Sequence, residues 1–508
     1  MRTTVRLFWL FFALYALTSS GNAFRVPDEF EVYFQTEHLA DAGDLSVPQT
    51  LSLGQEGQSI FFGELGLDGR PYAPYGPGVA FLIAPFHLAG RFVARVAGVH
   101  RAPLPAGIAW EFLVGGITAL AMAFAAALAV AGFRRACLAL GASPNHATLL
   151  AIVLGAGTVL WPYGTTLYSE AWLAASFAWA AALLFEACAG AGRPRVRVIA
   201  AAALLAVAGL AKPTALVIAP GFVIAVLVEE RLSTAARLRV ALVLGAGIAL
   251  AAAAQIGWNV WRFGRPLDFG YNLGAMIPYP PARSFTIAEV PRGLFVQLLT
   301  PGKSLFVWAP VTLLSLLSWR ACWRRERGLA AGLAVATISA LVFYAAFLFP
   351  EGGYAHGPRH LVPLVPLLIL PLAVPGLAPP RRALLACAVA GFVVSALAVS
   401  VSFLEDQSPV HAGGPSFSPY YETIDPPPGR PSNRYRLDYI PFKFALTSGR
   451  WLSPDRPAGN GPDFFALHLA QARRTLPGGA AIPAWLPWAI SLPWVGALVL
   501  AALGLLGR

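Results

Sequence analysis

An all-α polytopic membrane protein with roughly 12 transmembrane helices is the fold class that this sequence predicts. Three observations carry the expectation. First, 57% of the 508 residues are hydrophobic and only 12% are charged, a balance far from that of soluble domains. Second, apolar runs approaching the length of a bilayer crossing recur along the chain. Third, arginines gather in short clusters between alternate runs, as the positive-inside pattern requires. The net charge of +12 would suggest nucleic acid in a soluble protein. Here the charge is accounted for by those clusters, and no nucleic-acid motif is present. Cys137, Cys188, Cys322 and Cys387 all lie in or beside apolar runs, so neither a disulfide framework nor a zinc spacing is visible.

Residues 1–23 combine Arg2 and Arg6, an apolar core and Gly21-Asn22-Ala23. That pattern suits a signal peptide or a retained first span, and the many later spans favour retention. Both alternatives place residue 24 onward on the outer side.

The first outer loop, 24–105, is the largest polar departure. Its first fifty residues carry nine carboxylates against Arg25 and Arg70, and this scarcity of basic residues marks the side. Glu29 to Leu39 reads as a short amphipathic helix, and Gly69 to Gly78 is turn-rich. The stretch Val79 to Val96 is apolar but broken by Pro85, His87, Arg91 and Arg95, which predicts a helix lying along the interface. Counting it as a full crossing would invert every later segment and put the arginine clusters outside.

The remaining spans follow in order, at about 106–133, 146–164, 171–189, 198–211, 214–228 and 240–258, one between Lys303 and Arg320, one at about 329–349, one between Arg359 and Arg381, and one at about 383–403. The clusters at Arg134–Arg135, Arg193–Arg197, Arg231–Arg239, Arg320–Arg327 and Arg381–Arg382 then share one side. The domain reading is a transmembrane catalytic module over 1–403, a small Pro/Gly-rich outer-face segment over 404–486, and a final transmembrane helix in 487–508.

Candidate chemistry converges on the opposite side. Asp28 and Glu29 sit just beyond the first span, and carboxylates at the centre of a membrane helix cost about 3 kcal/mol each. Asp28 also suits a helix start, where a carboxylate meets the helix dipole. Glu170 heads the fourth span, Lys212 separates two short ones, and Arg359 stands with His356 and His360. Lys303 occupies Thr300-Pro301-Gly302-Lys303-Ser304, a turn and helix start. Taken singly, each has a structural use, such as helix capping or snorkelling to the interface. Together they set a carboxylate against several cations, as transfer from a lipid phosphate needs. The carboxylate activates an acceptor hydroxyl and the cations hold the leaving phosphate.

The ordered short motifs then carry a resemblance. They are Pro27-Asp28-Glu29, Asp41-Ala42-Gly43-Asp44, Asp68-Gly69-Arg70-Pro71-Tyr72, Tyr75-Gly76-Pro77-Gly78, Tyr168-Ser169-Glu170, Gly209-Leu210-Ala211-Lys212-Pro213-Thr214, Arg262-Phe263-Gly264-Arg265-Pro266, Pro301-Gly302-Lys303-Ser304 and Gly352-Gly353-Tyr354 through Arg359-His360. In this order they resemble bacterial membrane glycosyltransferases of the GT-C superfamily, in the branch of protein O-mannosyltransferases and aminoarabinose transferases.

That resemblance implies an inverting transfer of a hexosyl or pentosyl group from a polyprenyl-phosphate donor. The acceptor would be a lipid, glycan or protein, at the periplasmic face of a bacterial inner membrane. It makes Asp28 the base, with Glu29 beside it in the catalytic pair. Glu170 takes the second acidic position, and Lys212 and Arg359 contact the donor phosphate. Arg70, Lys303, His356 and His360 join the substrate-binding set, with Tyr72, Tyr75 and Tyr354 as surfaces for a sugar. A divalent cation is compatible with Glu29 and Glu170 but is not implied by any ligand spacing. The competing classes are a transporter or flippase of lipid-linked saccharides, which would place charges at mid-membrane on broken helices, and a ligase of surface saccharides.

Overall fold

The computed structural model describes residues 2–22, 24, 26–49, 63–190, 192–270, 285–347, 350, 352–353, 355–400 and 464–506. Most of the 404–486 segment and Tyr354 lie outside the described residues.

Two Ala-rich helices form the centre, α4 (Ile108–Ala139) and α7 (Glu170–Cys188). Ala121 to Ala131 of α4 and Ala171 to Ala182 of α7 supply nearly solid buried stripes. Small side chains let two backbones approach closely where lipid offers no hydrophobic drive to associate. Around them stand α1 (Arg2–Leu17), α8 (Pro194–Ala211), α11 (Thr234–Phe263), α16 (Arg327–Ala346) and α18 (Arg381–Val399). Between 400 and the end, α19 (Phe465–Thr475) precedes α20 (Leu486–Leu506). Burial grades outward: 78% of the apolar window of α4 is covered, against 22% of α11 and 6% of α20. The bare faces of α11 and α20 carry leucine, valine and tryptophan, as a lipid-facing rim requires.

Eight of the described helices are long and apolar enough to cross a membrane, and the chain is a multi-pass, all-α membrane protein. The expected total of twelve is not reached by that measure. Several stretches read as continuous spans are interrupted. The one at 146–164 divides into α5 (Pro144–Ala156) and α6 (Leu160–Tyr163), and the one at 214–228 into α9 (Ala215–Ile218) and α10 (Pro220–Leu227). Between α12 (Val290–Leu299) and α16 lie three short helices, α13 (Leu305–Trp308), α14 (Val311–Leu317) and α15 (Trp319–Arg325). The run from Arg359 to Ala373 is a 3-10 turn, a short α17 (Val365–Ile369) and another 3-10 turn, with Pro363, Pro366 and Pro371 inside it. Proline removes a donor and clashes with the preceding turn, so this sequence cannot wind a regular helix.

The bundle has two distinct ends. At one, Arg134 donates to Thr4, Arg135 and Arg197 flank Glu186, Arg231 bridges Glu229 and Glu326, and Arg327 meets Glu230. The other end carries Asp28, Glu170, Lys212 and Arg359. There α2 (Pro27–Ala42) starts with Pro27 in its first turn and stops at Gly43, whose left-handed φ of 74° lets its N–H close on Leu39 O.

The helix α3 (Gly78–Val96) qualifies as a span by length and composition, with a mean hydropathy of 1.4. Its contacts give its course. Gly78 abuts Leu210 and Ala211 just before Lys212, His87 meets Thr118 at 3.2 Å, and Ala94 packs with Ile108 to Val114. It therefore runs along the first turns of α4, at the end remote from Arg134. Arg91 and Arg101 hold Asp41, and Arg101 also holds Glu37, which fastens the last turns of α2 to α3 and its following loop.

Candidate active site

Asp28 enters from the first turn of α2, Glu170 from the first turn of α7, Lys212 from the residue that ends α8, and Arg359 from the start of the proline-broken run. Four elements thus deliver one charge each to a single point. Lys212 Nζ donates to Glu170 Oε1 at 2.6 Å, Arg359 Nε donates to the same oxygen at 2.8 Å, and Arg359 Nη2 donates to Asp28 Oδ1 at 2.8 Å. The result is an alternating chain, Lys212–Glu170–Arg359–Asp28, with no net formal charge. Its side chains are 13%, 1%, 10% and 24% exposed in that order, so Asp28 is the member that meets solvent most. Glu170 Oε2 is buried without a hydrogen-bond partner among the described residues.

Arg359 lies over an aromatic ring. Its guanidinium carbon lies 4.0 Å from the ring centroid of Tyr168, which is almost wholly buried. The turn that carries Tyr168 is fastened from α2, because Glu29 Oε1 accepts the Leu167 N–H at 3.1 Å. The segment before Arg359 is fastened from two other sides. Tyr163 Oη donates to His356 O at 2.9 Å, and Lys303 Nζ donates to Gly353 O at 3.0 Å and Ala355 O at 2.6 Å. Gly352 adopts φ +82°, and a Cβ there would stand 2.6 Å from Arg359 Cβ. Only glycine takes that conformation readily while giving the arginine room.

The other expected residues divide by place. Glu29 is 1% exposed and turned to the backbone of the 165–170 turn. Lys303 grips the carbonyls before Arg359. His356 is buried beside Trp308, and His360 stacks on Tyr344 with ring centroids 4.3 Å apart. Arg70 donates to Asp44, and Tyr72 Oη donates to Asp68 at 2.8 Å while its ring meets Trp258, Trp261 and Phe263. Tyr72 thus closes the turn of the small hairpin of β1 (Glu64–Leu65) and β2 (Pro71–Tyr72), and Arg70 joins that turn to Asp44, just beyond α2. Tyr75 is buried.

Sequence reasoning did not single out Tyr168, Tyr163 or Arg262. Arg262 is 1% exposed, donates to Ala73 O and Asn259 Oδ1, and lies against the rings of Trp258 and Phe263. It secures the turn between β2 and α3. The only sequence signal for Tyr168 was its position directly before Ser169-Glu170.

Among the described residues, no group of three or more His, Cys, Asp or Glu is placed to hold a metal. Asp28 and Glu170 are bridged by Arg359, whose charge opposes a second cation between them. Asp28 and Glu170 thus form no ready-made cation site.

No family model matches the chain, and no curated protein matches it. Two solved structures are similar in shape. One is the archaeal oligosaccharyltransferase AglB from Archaeoglobus fulgidus, in complex with an inhibitory peptide and a dolichol-phosphate. It has 11% identity and a TM-score of 0.47, over 85% of this chain and 59% of that one. The other is the Archaeoglobus fulgidus oligosaccharyltransferase complexed with Zn and sulfate, at 14% identity and a TM-score of 0.38, over 84% and 58%. The chain thus spans less than two thirds of the length of either.

Proposed function

We propose that this protein is a membrane glycosyltransferase that moves a sugar from a polyprenyl-phosphate donor to a hydroxyl acceptor, with Asp28 as the base. The observation that carries the reading is the ion-paired chain Lys212–Glu170–Arg359–Asp28, buried at Glu170 and Arg359, at the end of the bundle away from the arginine clusters. Among the described residues, Arg359 commits Nε and Nη2 to carboxylates and has no acceptor on Nη1, and Lys212 makes one hydrogen bond. Those remaining donors suit a phosphate oxygen on which charge develops.

In the proposed reaction the acceptor oxygen attacks the anomeric carbon, and its proton passes to the Asp28 carboxylate. The bond from the anomeric carbon to the phosphate oxygen breaks on the opposite face, and the electron pair leaves with the phosphate. A single displacement inverts the centre. Arg359 and Lys212 stabilise the leaving group, and Glu170 fixes both cations. In this reading the site faces the non-cytoplasmic side, the periplasmic face in a bacterial inner membrane, and the positive-inside pattern supports that side.

The test uses purified protein in lipid nanodiscs with radiolabelled polyprenyl-phosphate sugars. Release of label by the wild type and a loss of about 100-fold or more in Asp28→Asn is expected, within the range of a removed general base. Equal release by both removes Asp28 from the mechanism. Movement of intact lipid-linked saccharide across proteoliposomes, without release, would make the protein a flippase.

A further inference from the structure

We propose that Glu29 and Tyr168 are positioning residues that act through Arg359: Glu29 anchors the turn bearing Tyr168, and the Tyr168 ring is the shelf that aims the guanidinium. The inference rests on the proposed phosphate-binding role of Arg359 and reassigns Glu29 from the catalytic pair.

The geometry argues for it in three steps. Glu29 neighbours Asp28 in sequence, yet successive helical residues point about 100° apart. Asp28 accordingly meets Arg359, whereas Glu29 accepts the Leu167 N–H and is sealed from solvent. The next residue along the turn, Tyr168, places its ring face under Arg359 at 4.0 Å. A guanidinium over a ring keeps its in-plane N–H groups free for acceptors at its edge. Here that edge holds Glu170 through Nε and Asp28 through Nη2, leaving Nη1 in the same plane.

The Tyr168 ring also has an aromatic neighbour. The Tyr163 ring lies 5.8 Å from that of Tyr168, and its hydroxyl holds His356 O, three residues before Arg359. The ring and the segment it serves therefore share one fastening. Glu29 and Tyr168 also account for what spacing alone left open, namely why two adjacent carboxylates follow the first span: Asp28 meets Arg359 and Glu29 meets the Leu167 N–H.

The expected signature separates positioning from chemistry. A glutamine keeps the oxygen that accepts the Leu167 N–H, so Glu29→Gln should stay within about threefold of wild type, whereas Glu29→Ala should not. Tyr168→Phe keeps the ring and should behave like wild type. Tyr168→Leu and Tyr168→Met remove the ring and should raise the donor KM roughly 10- to 30-fold, with a smaller change in kcat.

Two readouts are needed: donor kinetics, and equilibrium binding of unlabelled undecaprenyl phosphate, which requires no turnover. Thermal melting in the same nanodiscs identifies variants that have simply lost their fold, and the two ring-free substitutions back each other up. Loss of activity in Glu29→Gln equal to that in Glu29→Ala would put the Glu29 charge into the chemistry and overturn its part. Undecaprenyl phosphate affinity unchanged in both ring-free variants would overturn the shelf. A wild type that binds undecaprenyl phosphate in a Tyr168-dependent way but transfers no sugar would remove the proposed reaction and leave the shelf standing. Absence of binding by the wild type would overturn both.

Discussion

Glu170 should be the energetic fulcrum of the site, and Glu170→Gln is the perturbation that reads it. The carboxylate is 1% exposed and one of its oxygens receives both Lys212 and Arg359, at 2.6 and 2.8 Å. Glutamine keeps an acceptor of nearly the same shape but deletes the charge between two cations. Arg359 then still has Asp28, while Lys212 loses the carboxylate to which it donates. Removing one partner of a buried ion pair costs about 3–5 kcal/mol, and the residual solvent contact of both cations argues for the lower end, about 3 kcal/mol. Equilibrium unfolding in mixed micelles, followed by tryptophan fluorescence, measures the loss. A double-mutant cycle with Lys212→Met isolates the pair, because removing the cation as well relieves its isolation. The expected coupling is at least about 1.5 kcal/mol. A single-variant loss under about 0.5 kcal/mol, or energies that add, would show that the chain of charges is not a coupled unit.

Three further outcomes follow from the same geometry. Lys303→Met should cost about 2–3 kcal/mol of stability by freeing the Gly353 and Ala355 carbonyls, as expected for hydrogen bonds from a charged donor. A raised donor KM at unchanged stability would instead make Lys303 a phosphate contact. Gly352→Ala should lower donor affinity more than overall stability, because its Cβ would press on Arg359, and unlabelled undecaprenyl phosphate titration checks this. The third concerns acid. Burial alone would raise the Asp44 carboxyl, but the Ser46 N–H and hydroxyl, His38 and Arg70 hold it below its usual value. A carboxyl depressed in the folded state stabilises above its unfolded value near 4, and that contribution is lost as pH falls through the lower folded value. Asp44→Asn should therefore flatten the acid limb of a melting-temperature profile, and an unchanged limb would contradict the assignment.

Much of the architecture was legible from composition and pattern. Apolar length, arginine clusters and the carboxylate-rich first loop identify a multi-pass helical protein and separate its two ends, because bilayer thickness and charge placement act on sequence directly. The site was legible in part. Asp28, Glu170, Lys212 and Arg359 stood out as ionisable groups at membrane-boundary positions, where such groups are costly unless they have partners. Broken spans such as Arg359–Ala373 show as prolines in the sequence yet count as continuous by hydropathy, which averages over a window and does not register a lost backbone donor.

What only the tertiary structure decided is which neighbour does which task. Asp28 and Glu29 are adjacent, yet one meets Arg359 and the other a backbone N–H, because helical rotation turns them to different elements. Arg359 finds Tyr168 across 191 positions of chain, a pairing that no local period encodes. Lys303 and Arg359 are both cations in the sequence, but the fold turns one to carbonyls and the other to carboxylates. Burial cost acts on each charge separately and can be read from sequence. The partner that offsets it is fixed only when distant elements pack.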